Sequence, residues 1–199
     1  MTNAAWNPTS PFDFTPSATQ DRDLVQQLSF VPGLKEIVML RQVHALEHAT
    51  VWVLSNQTPP NTEDNALGGM STDEGFYLYG NVNPAQLRRA VHTALERITS
   101  GEWNLAVHPR CGTNLSVGML LAAGVAVGTH LILPKGPIEQ LLALGVAATA
   151  ATQLAPDLGI LAQRYITTAI PFNLEIAEIA ATQDLWSRSA HFVRVRWRE

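Results

Sequence analysis

The chain has 199 residues, room for one compact domain or a small domain with an appendage, and only 15% of them are charged, against about 25% in an average soluble domain. A formal net charge of -4 and an isoelectric point near 5.8 leave no basic surface able to replace phosphate counterions, which argues against nucleic acid as a partner. The single cysteine, Cys111, excludes an internal disulfide and leaves the roles of buried thiol, reactive thiol or metal ligand.

Residues 1–20 are rich in Pro, Ser and Thr and show neither the basic nor the apolar region of a cleavable signal peptide, so a disordered lead-in is expected. Gly33 to Ser55 reads as a helix, opened by Pro32-Gly33 and ended by Asn56 to Pro60. It is apolar almost all the way round (Ile37, Val38, Leu40, Val43, Leu46, Val51, Val53), which predicts burial by protein or contact with a membrane. Gly75 to Gly80 reads as a short strand. Ser71 to Glu74 before it reads as a turn, from which Asp73 or Glu74 can reach a site. Asn83, Pro84 and Gln86 form an N-cap, a first helical position and a capping-box partner. The helix they open is expected to bury Leu87, Val91, Ala94, Leu95 and Ile98 and to leave His92 in solvent. Glu102 to Val107 reads as a second strand, delivering His108-Pro-Arg-Cys111-Gly-Thr113.

The charge deficit lies beyond that turn. Between Cys111 and Gln163 the only charges are Lys135, Glu139 and Asp157. Cys111 to Pro134 is charge-free, and as a helix of 24 residues it would span about 36 Å, enough to cross a bilayer core. Gln140 to Ala155 follows the loop Pro134-Lys-Gly-Pro137 as a second apolar stretch, with Pro156-Asp157 expected to interrupt it before Leu158 to Ala162. Gly118, Gly124, Gly128, Ala143, Ala147 and Ala151 would let two helices approach closely in lipid. The expected result is a transmembrane helical hairpin, the alternative a pair of buried core helices. Arg97 and Arg110 before the first span and Arg164 after the second place both chain ends in the cytoplasm by the positive-inside rule. His130 falls near the end of the first span, where an interfacial side chain is the simple reading. At the far end Val193, Val195 and Trp197 alternate with Arg194, Arg196 and Arg198, a half-buried strand with a basic outer face.

The stretch Arg41-Gln-Val-His44-Ala-Leu-Glu47-His48 carries the chemistry. His44 and His48 stand four apart and share one face of a helix, where they can grip one ion. Glu47 beside them can hold or activate a bound water, and H-x-x-E-H is the reversed zinc-protease helix motif. Burying a carboxylate and two imidazoles unpaired is costly, and a divalent cation would resolve all three. The alternative has the histidines bonded to backbone and Glu47 paired with an arginine such as Arg110. His108 and Cys111, spaced H-x-x-C, are candidates for the remaining ligands: three plus water make a catalytic site, four a closed structural one. Cys111 can instead be an apolar filler or a nucleophile activated by His44 or His108, with Gly112, Thr113 and Asn114 at a helix start as anion-stabilising donors.

Together, the His44-Ala-Leu-Glu47-His48 helix and the His108-Pro-Arg-Cys111 turn resemble the YqhQ-like family of bacterial membrane proteins, held to be metal-dependent enzymes. The chain as a whole looks more like an uncharacterised cyanobacterial domain-of-unknown-function family with the same two motifs and a membrane hairpin. The resemblance covers about residues 33–170 and implies His44, Glu47, His48, His108, Arg110 and Cys111 as site positions.

The expectation is an α+β membrane protein: a small cytoplasmic unit of helices and a short sheet with a transmembrane helical hairpin. Residues 1–20 would be the lead-in, 21–113 the soluble or interfacial metal-site unit, 114–168 the hairpin, and 169–199 a C-terminal helix and basic strand returning to the soluble unit. The expected function is a membrane-anchored zinc-dependent hydrolase, in first place a peptidase acting on a peptide or membrane-protein substrate at the bilayer. Zinc or another divalent metal would be held by His44, His48 and His108 or Cys111, with Glu47 as base and Arg110 stabilising an oxyanion. The rival is a scaffold or assembly factor in which all four ligands close a structural metal site. The sequence leaves the oligomeric state open.

Overall fold

A helix apolar on every side needs covering, and the rest of the chain covers its midsection while leaving Ile37 and Leu40 near its start exposed. The computed structural model describes residues 15–57, 67–132, 136–184 and 186–198. After a short helix α1 (Gln20–Gln27), the central helix α2 (Leu34–Gln57) runs through the molecule, and only His44 and Trp52 escape full burial between Val43 and Leu54. A four-stranded antiparallel sheet of order β1-β2-β4-β3 covers one side: β1 (Gly68–Thr72), β2 (Gly75–Tyr79), β3 (Leu174–Gln183) and β4 (Ser189–Trp197). Helix α3 (Pro84–Thr99) covers another, with the Asn83 side chain accepting from the backbone N–H groups of Ala85 and Gln86 and Pro84 at a position where no N–H is needed.

Leu46 and Leu54 of α2, Leu87, Val91 and Ile98 of α3, and Phe76, Leu78, Val193 and Val195 of the sheet meet in one core. At about 1.5–3 kcal/mol for each large side chain fully removed from water, this cluster dominates the fold's stability. The strands sort by period two: Phe76 and Leu78 are buried where Tyr77 and Tyr79 are half-buried, and Val193 and Val195 are buried where Arg194 and Arg196 are exposed. The basic final strand thus joins the sheet as its alternation predicts, pairing with β2 on one side and β3 on the other.

Four local expectations are corrected. Glu102 to Val107 is not a strand: Trp103–Ala106 is a single 3-10 turn packed on α2. The helix expected between residue 169 and the final strand is instead β3, although Ala and Glu in Leu174–Gln183 favour helix, because pairing along β4 outweighs local propensity. Ser71 and Thr72 belong to a strand, β1, rather than a turn, which shrinks to Asp73 and Glu74. Pro156 does not interrupt its helix, which continues to Ala162; one proline removes a single backbone bond and the flanking turns carry the helix through. Of the expected lead-in, residues 1–14 lie outside the described residues, as do Thr58 to Pro60 and Pro134-Lys135, whereas Gln20 already begins α1.

Helix α4 (Gly112–Ile132) and helix α5 (Pro137–Ala162) form an antiparallel pair, followed by one π-helical turn, Gln163–Thr167. Their seam is lined by small residues: Ala143, Ala147, Ala151 and Gly159 are the buried residues of α5. A side chain on Gly159 would collide with Asn114, and one on Gly118 would touch Ala155. Outward the pair is bare, with Leu120 at 74%, Leu131 at 77% and Leu141 at 71% exposure. Gly112–Leu131 and Pro137–Thr167 are long and apolar enough to cross a membrane.

Candidate metal centre

The buried midsection of α2 turns His44 and His48 to the same side, one turn apart, with their ring centroids 4.3 Å apart. Two backbone carbonyls from distant parts of the chain meet them. His44 Nδ1 lies 3.1 Å from the Thr167 carbonyl, at the end of the π-helical turn. His48 Nδ1 lies 2.7 Å from the Ala106 carbonyl, in the 3-10 turn. A carbonyl only accepts, so each Nδ1 must carry the proton and each Nε2 is left as a lone-pair donor. Partners of this kind, fixing tautomer and ring orientation from behind, are what metal-ligating histidines have.

The third donor is Cys111, at the mouth of α4. Its Sγ lies 3.3 Å from His44 Nε2, and ligand atoms of His44, His48 and Cys111 all fall within 4.8 Å of one another. In a tetrahedral zinc site with Zn–N near 2.05 Å and Zn–S near 2.3 Å, nitrogen and sulfur sit about 3.6 Å apart, so the trio needs only small shifts to close on an ion. Burial pushes the Cys111 thiol up, but the His48 ring when protonated, together with the Thr113 hydroxyl and backbone N–H, outweighs it and holds the thiol below its ordinary range. The thiolate is the form that binds a metal.

Glu47 stands next to the trio and is not part of it. It is 7% exposed and accepts a hydrogen bond from Ser71 Oγ at 2.6 Å. Burial raises its carboxyl, with Ser71 and the neighbouring His44 pulling the other way. Strand β1 covers it closely: a Cβ built on Gly69 would collide with the carboxylate, so any larger residue there requires Glu47 to move. The arginine pairing weighed as an alternative for Glu47 is replaced by this serine. The backbone bonding weighed for the histidines does occur, but it occupies only one nitrogen of each ring.

His108 is placed outside the trio. Its ring sits between His48 (centroids 5.8 Å apart) and Trp52 (5.1 Å), and its Nδ1 accepts from the Arg110 backbone N–H at 3.3 Å. Burial, with help from His48 and Arg110, lowers its pKa to about 4. Arg110 is exposed at the rim of a cavity of about 540 Å³ that opens over the trio and Glu47. Asp73 is exposed in the hairpin turn, and Glu74 pairs with Arg194 at 2.8 Å, so neither serves the site.

Sequence reasoning missed the group that assembles these parts, Gln163. Fully buried, it accepts from the His108 backbone N–H at 2.8 Å and donates to Asn114 Oδ1 at 2.7 Å, tying the Cys111 turn to the end of α5. Arg41 docks the π-helical turn on α2 through the Tyr165 and Thr168 carbonyls, which sets Thr167 against His44. The signal for Gln163 was present: an uncharged polar side chain closing an apolar span.

The family profile "Domain of unknown function (DUF6391)" matches residues 39–179, a range that holds the trio, Glu47 and the hairpin. The chain belongs to the DUF6391 family. An uncharacterised protein of the cyanobacterium Picosynechococcus sp. is 53% identical over 191 residues, covering 94% of this chain and 93% of that protein. No solved structure matches the chain. The expected cyanobacterial family of unknown function is thus the right one, and neither match connects this DUF6391 chain to the YqhQ-like proteins.

Proposed function

We propose that the chain is a membrane-anchored, metal-dependent hydrolase whose metal, zinc by the chemistry of its donors, is held by His44, His48 and Cys111. One observation carries this reading: both histidines are held from behind by carbonyls, His44 Nε2 lies 3.3 Å from the Cys111 thiol, and ligand atoms of all three residues fall within 4.8 Å of one another. Two imidazoles and a thiolate suit zinc, and three protein ligands leave the fourth position open, the arrangement of a catalytic site. Zinc bound there would supply Lewis acidity and bring water into reach of deprotonation near neutral pH. Glu47 is suited to take that proton and pass it to the leaving group, because burial raises its carboxyl toward working pH. Ser71 orients the carboxylate, Gly69 gives it room, and Arg110 at the rim meets developing negative charge.

Peptide bonds are the substrate class the H-x-x-E-H helix favours. The motif likeness to the YqhQ-like family adds an expectation of metal dependence and nothing about substrate. Anchoring rests on the bare apolar exterior of α4 and α5, with the catalytic unit on the cytoplasmic side by the arginine bias at the span ends.

A structural metal site in a scaffold is less well supported, since His108, its fourth ligand, stands outside the trio. A cysteine nucleophile has one observation in its favour, the 3.3 Å approach of His44 Nε2 to Sγ. Metal content and turnover of Glu47→Gln separate the three readings. The hydrolase keeps its zinc and loses activity, the scaffold keeps its zinc and has no activity to lose, and the cysteine enzyme holds no zinc and is silenced by thiol alkylation.

A further inference from the structure

Strand β1 is an edge of the sheet, and its outer side faces the cavity of the candidate metal centre. Sheet order β1-β2-β4-β3 leaves β1 paired only with β2 among the described residues. Gly68, Gly69, Met70 and Ser71 all line the cavity that holds His44, His48 and Cys111. The hydrogen-bonding phase follows from the register. Glu74 C=O accepts from Val195 N–H, so alternate residues Phe76 and Leu78 also turn their backbone groups toward β4, and Gly75, Tyr77 and Tyr79 turn theirs toward β1. Their partners Thr72, Met70 and Gly68 are therefore satisfied by β2. Gly69 and Ser71 point their N–H and C=O outward, along the cavity.

Natural sheets blunt such edges with charge, proline or bulges, and Gly-Gly-Met-Ser-Thr has none of these. Gly69 is exposed and carries no side chain to hold an incoming chain away. From this we infer that an extended peptide segment adds to β1 as a fifth strand, its main chain bonded to Gly69 and Ser71 and so laid beside the metal centre. This names the substrate class for the hydrolase reading and rests on that reading for its purpose. The binding itself needs no metal.

In either strand direction only every second residue of the added peptide turns its N–H and C=O to β1, and that supplies the test. The probes are an acetylated, amidated heptapeptide Lys-Val-Thr-Ala-Val-Thr-Lys and two forms of it, one N-methylated at odd positions and one at even positions. Binding to the full chain in lipid nanodiscs is followed by backbone amide hydrogen exchange, with zinc and after chelation. The inference expects the unmodified peptide to slow exchange at Gly69 and Ser71 but not at Gly68, Met70 or Thr72. It also expects one N-methylated form to bind at least about fivefold more weakly than the other, as loss of main-chain bonds requires.

Amides of Gly69 and Ser71 already protected without peptide, no protection at millimolar peptide, or equal weakening by both N-methylated forms would each overturn it. Protection in protein that takes up no zinc even when zinc is supplied would keep the edge and remove the metal reading. A zinc-loaded protein with an unprotected edge would do the reverse.

Discussion

Gly69→Ala is the sharpest small perturbation of the site. The added methyl would occupy the position of the Glu47 carboxylate, so either Glu47 leaves its bond to Ser71 or β1 lifts from α2. A buried hydrogen bond to a charged group is worth about 1.5–3 kcal/mol, and β1 is short and held by one neighbour, so lifting it caps the loss. The expected cost is about 2 kcal/mol, which at about 2–4 °C per kcal/mol for a chain of this length lowers Tm by about 4–8 °C. Gly68→Ala is the control, because its methyl would meet only the Tyr79 side chain at 3.8 Å. It should be neutral or slightly stabilising, since alanine loses less backbone entropy than glycine. A double-mutant cycle isolates the cause: in a Glu47→Ala background the obstacle is gone, and Gly69→Ala should cost less than about 0.5 kcal/mol. The readout is thermal unfolding followed by circular dichroism in a mild detergent. Equal effects at positions 68 and 69, or an undiminished cost in the Glu47→Ala background, would refute the reasoning.

Gln163→Leu keeps the volume but strands the His108 N–H and Asn114; a loss of about 2–4 kcal/mol and weakened zinc binding are expected, read by melting and by competition with a chromogenic chelator. Glu47→Gln should retain zinc while hydrolysis of a quenched-fluorescence peptide library falls about 10²-fold or more. Asp184 supplies a pH test remote from the metal. Burial pushes its carboxyl up, but bonds from the Arg188 backbone and side chain, the Tyr79 hydroxyl and the Trp186 N–H prevail and bring it to about 2. Its folded pKa is depressed, so its contribution is present above the unfolded value near 3.9 and is lost as pH falls toward 2. Asp184→Asn should flatten Tm against pH across that window and leave the rest of the profile unchanged.

Periodic features were the legible ones. The apolar helix, the Asn83-Pro84 helix start, the valine–arginine alternation of the last strand and the charge-poor hairpin each express one local rule over many residues. β1 and β3 were missed because their strands are made by partners. Gly-Gly-Met-Ser-Thr has little strand character of its own, and Leu174–Gln183 has the composition of a helix; β2 and β4 decide both. In the site, helical spacing gave His44, Glu47 and His48, since i, i+4 geometry is independent of tertiary context. Cys111 could be suspected from the sequence but not preferred to His108, because the choice depends on how Gln163 and Arg41 dock two distant turns on α2. Ser71 and Gly69 were invisible for the same reason: their roles exist only where β1 crosses Glu47.

The central claim is that His44, His48 and Cys111 hold one metal ion. The most direct measurement is elemental mass spectrometry of protein purified without chelators, for the native chain and for His44→Ala, Cys111→Ser and His108→Ala. The account predicts about one zinc per chain in the native protein and in His108→Ala, and loss of metal in His44→Ala and Cys111→Ser. Metal-free native protein, or zinc retained when His44 is removed, would contradict it.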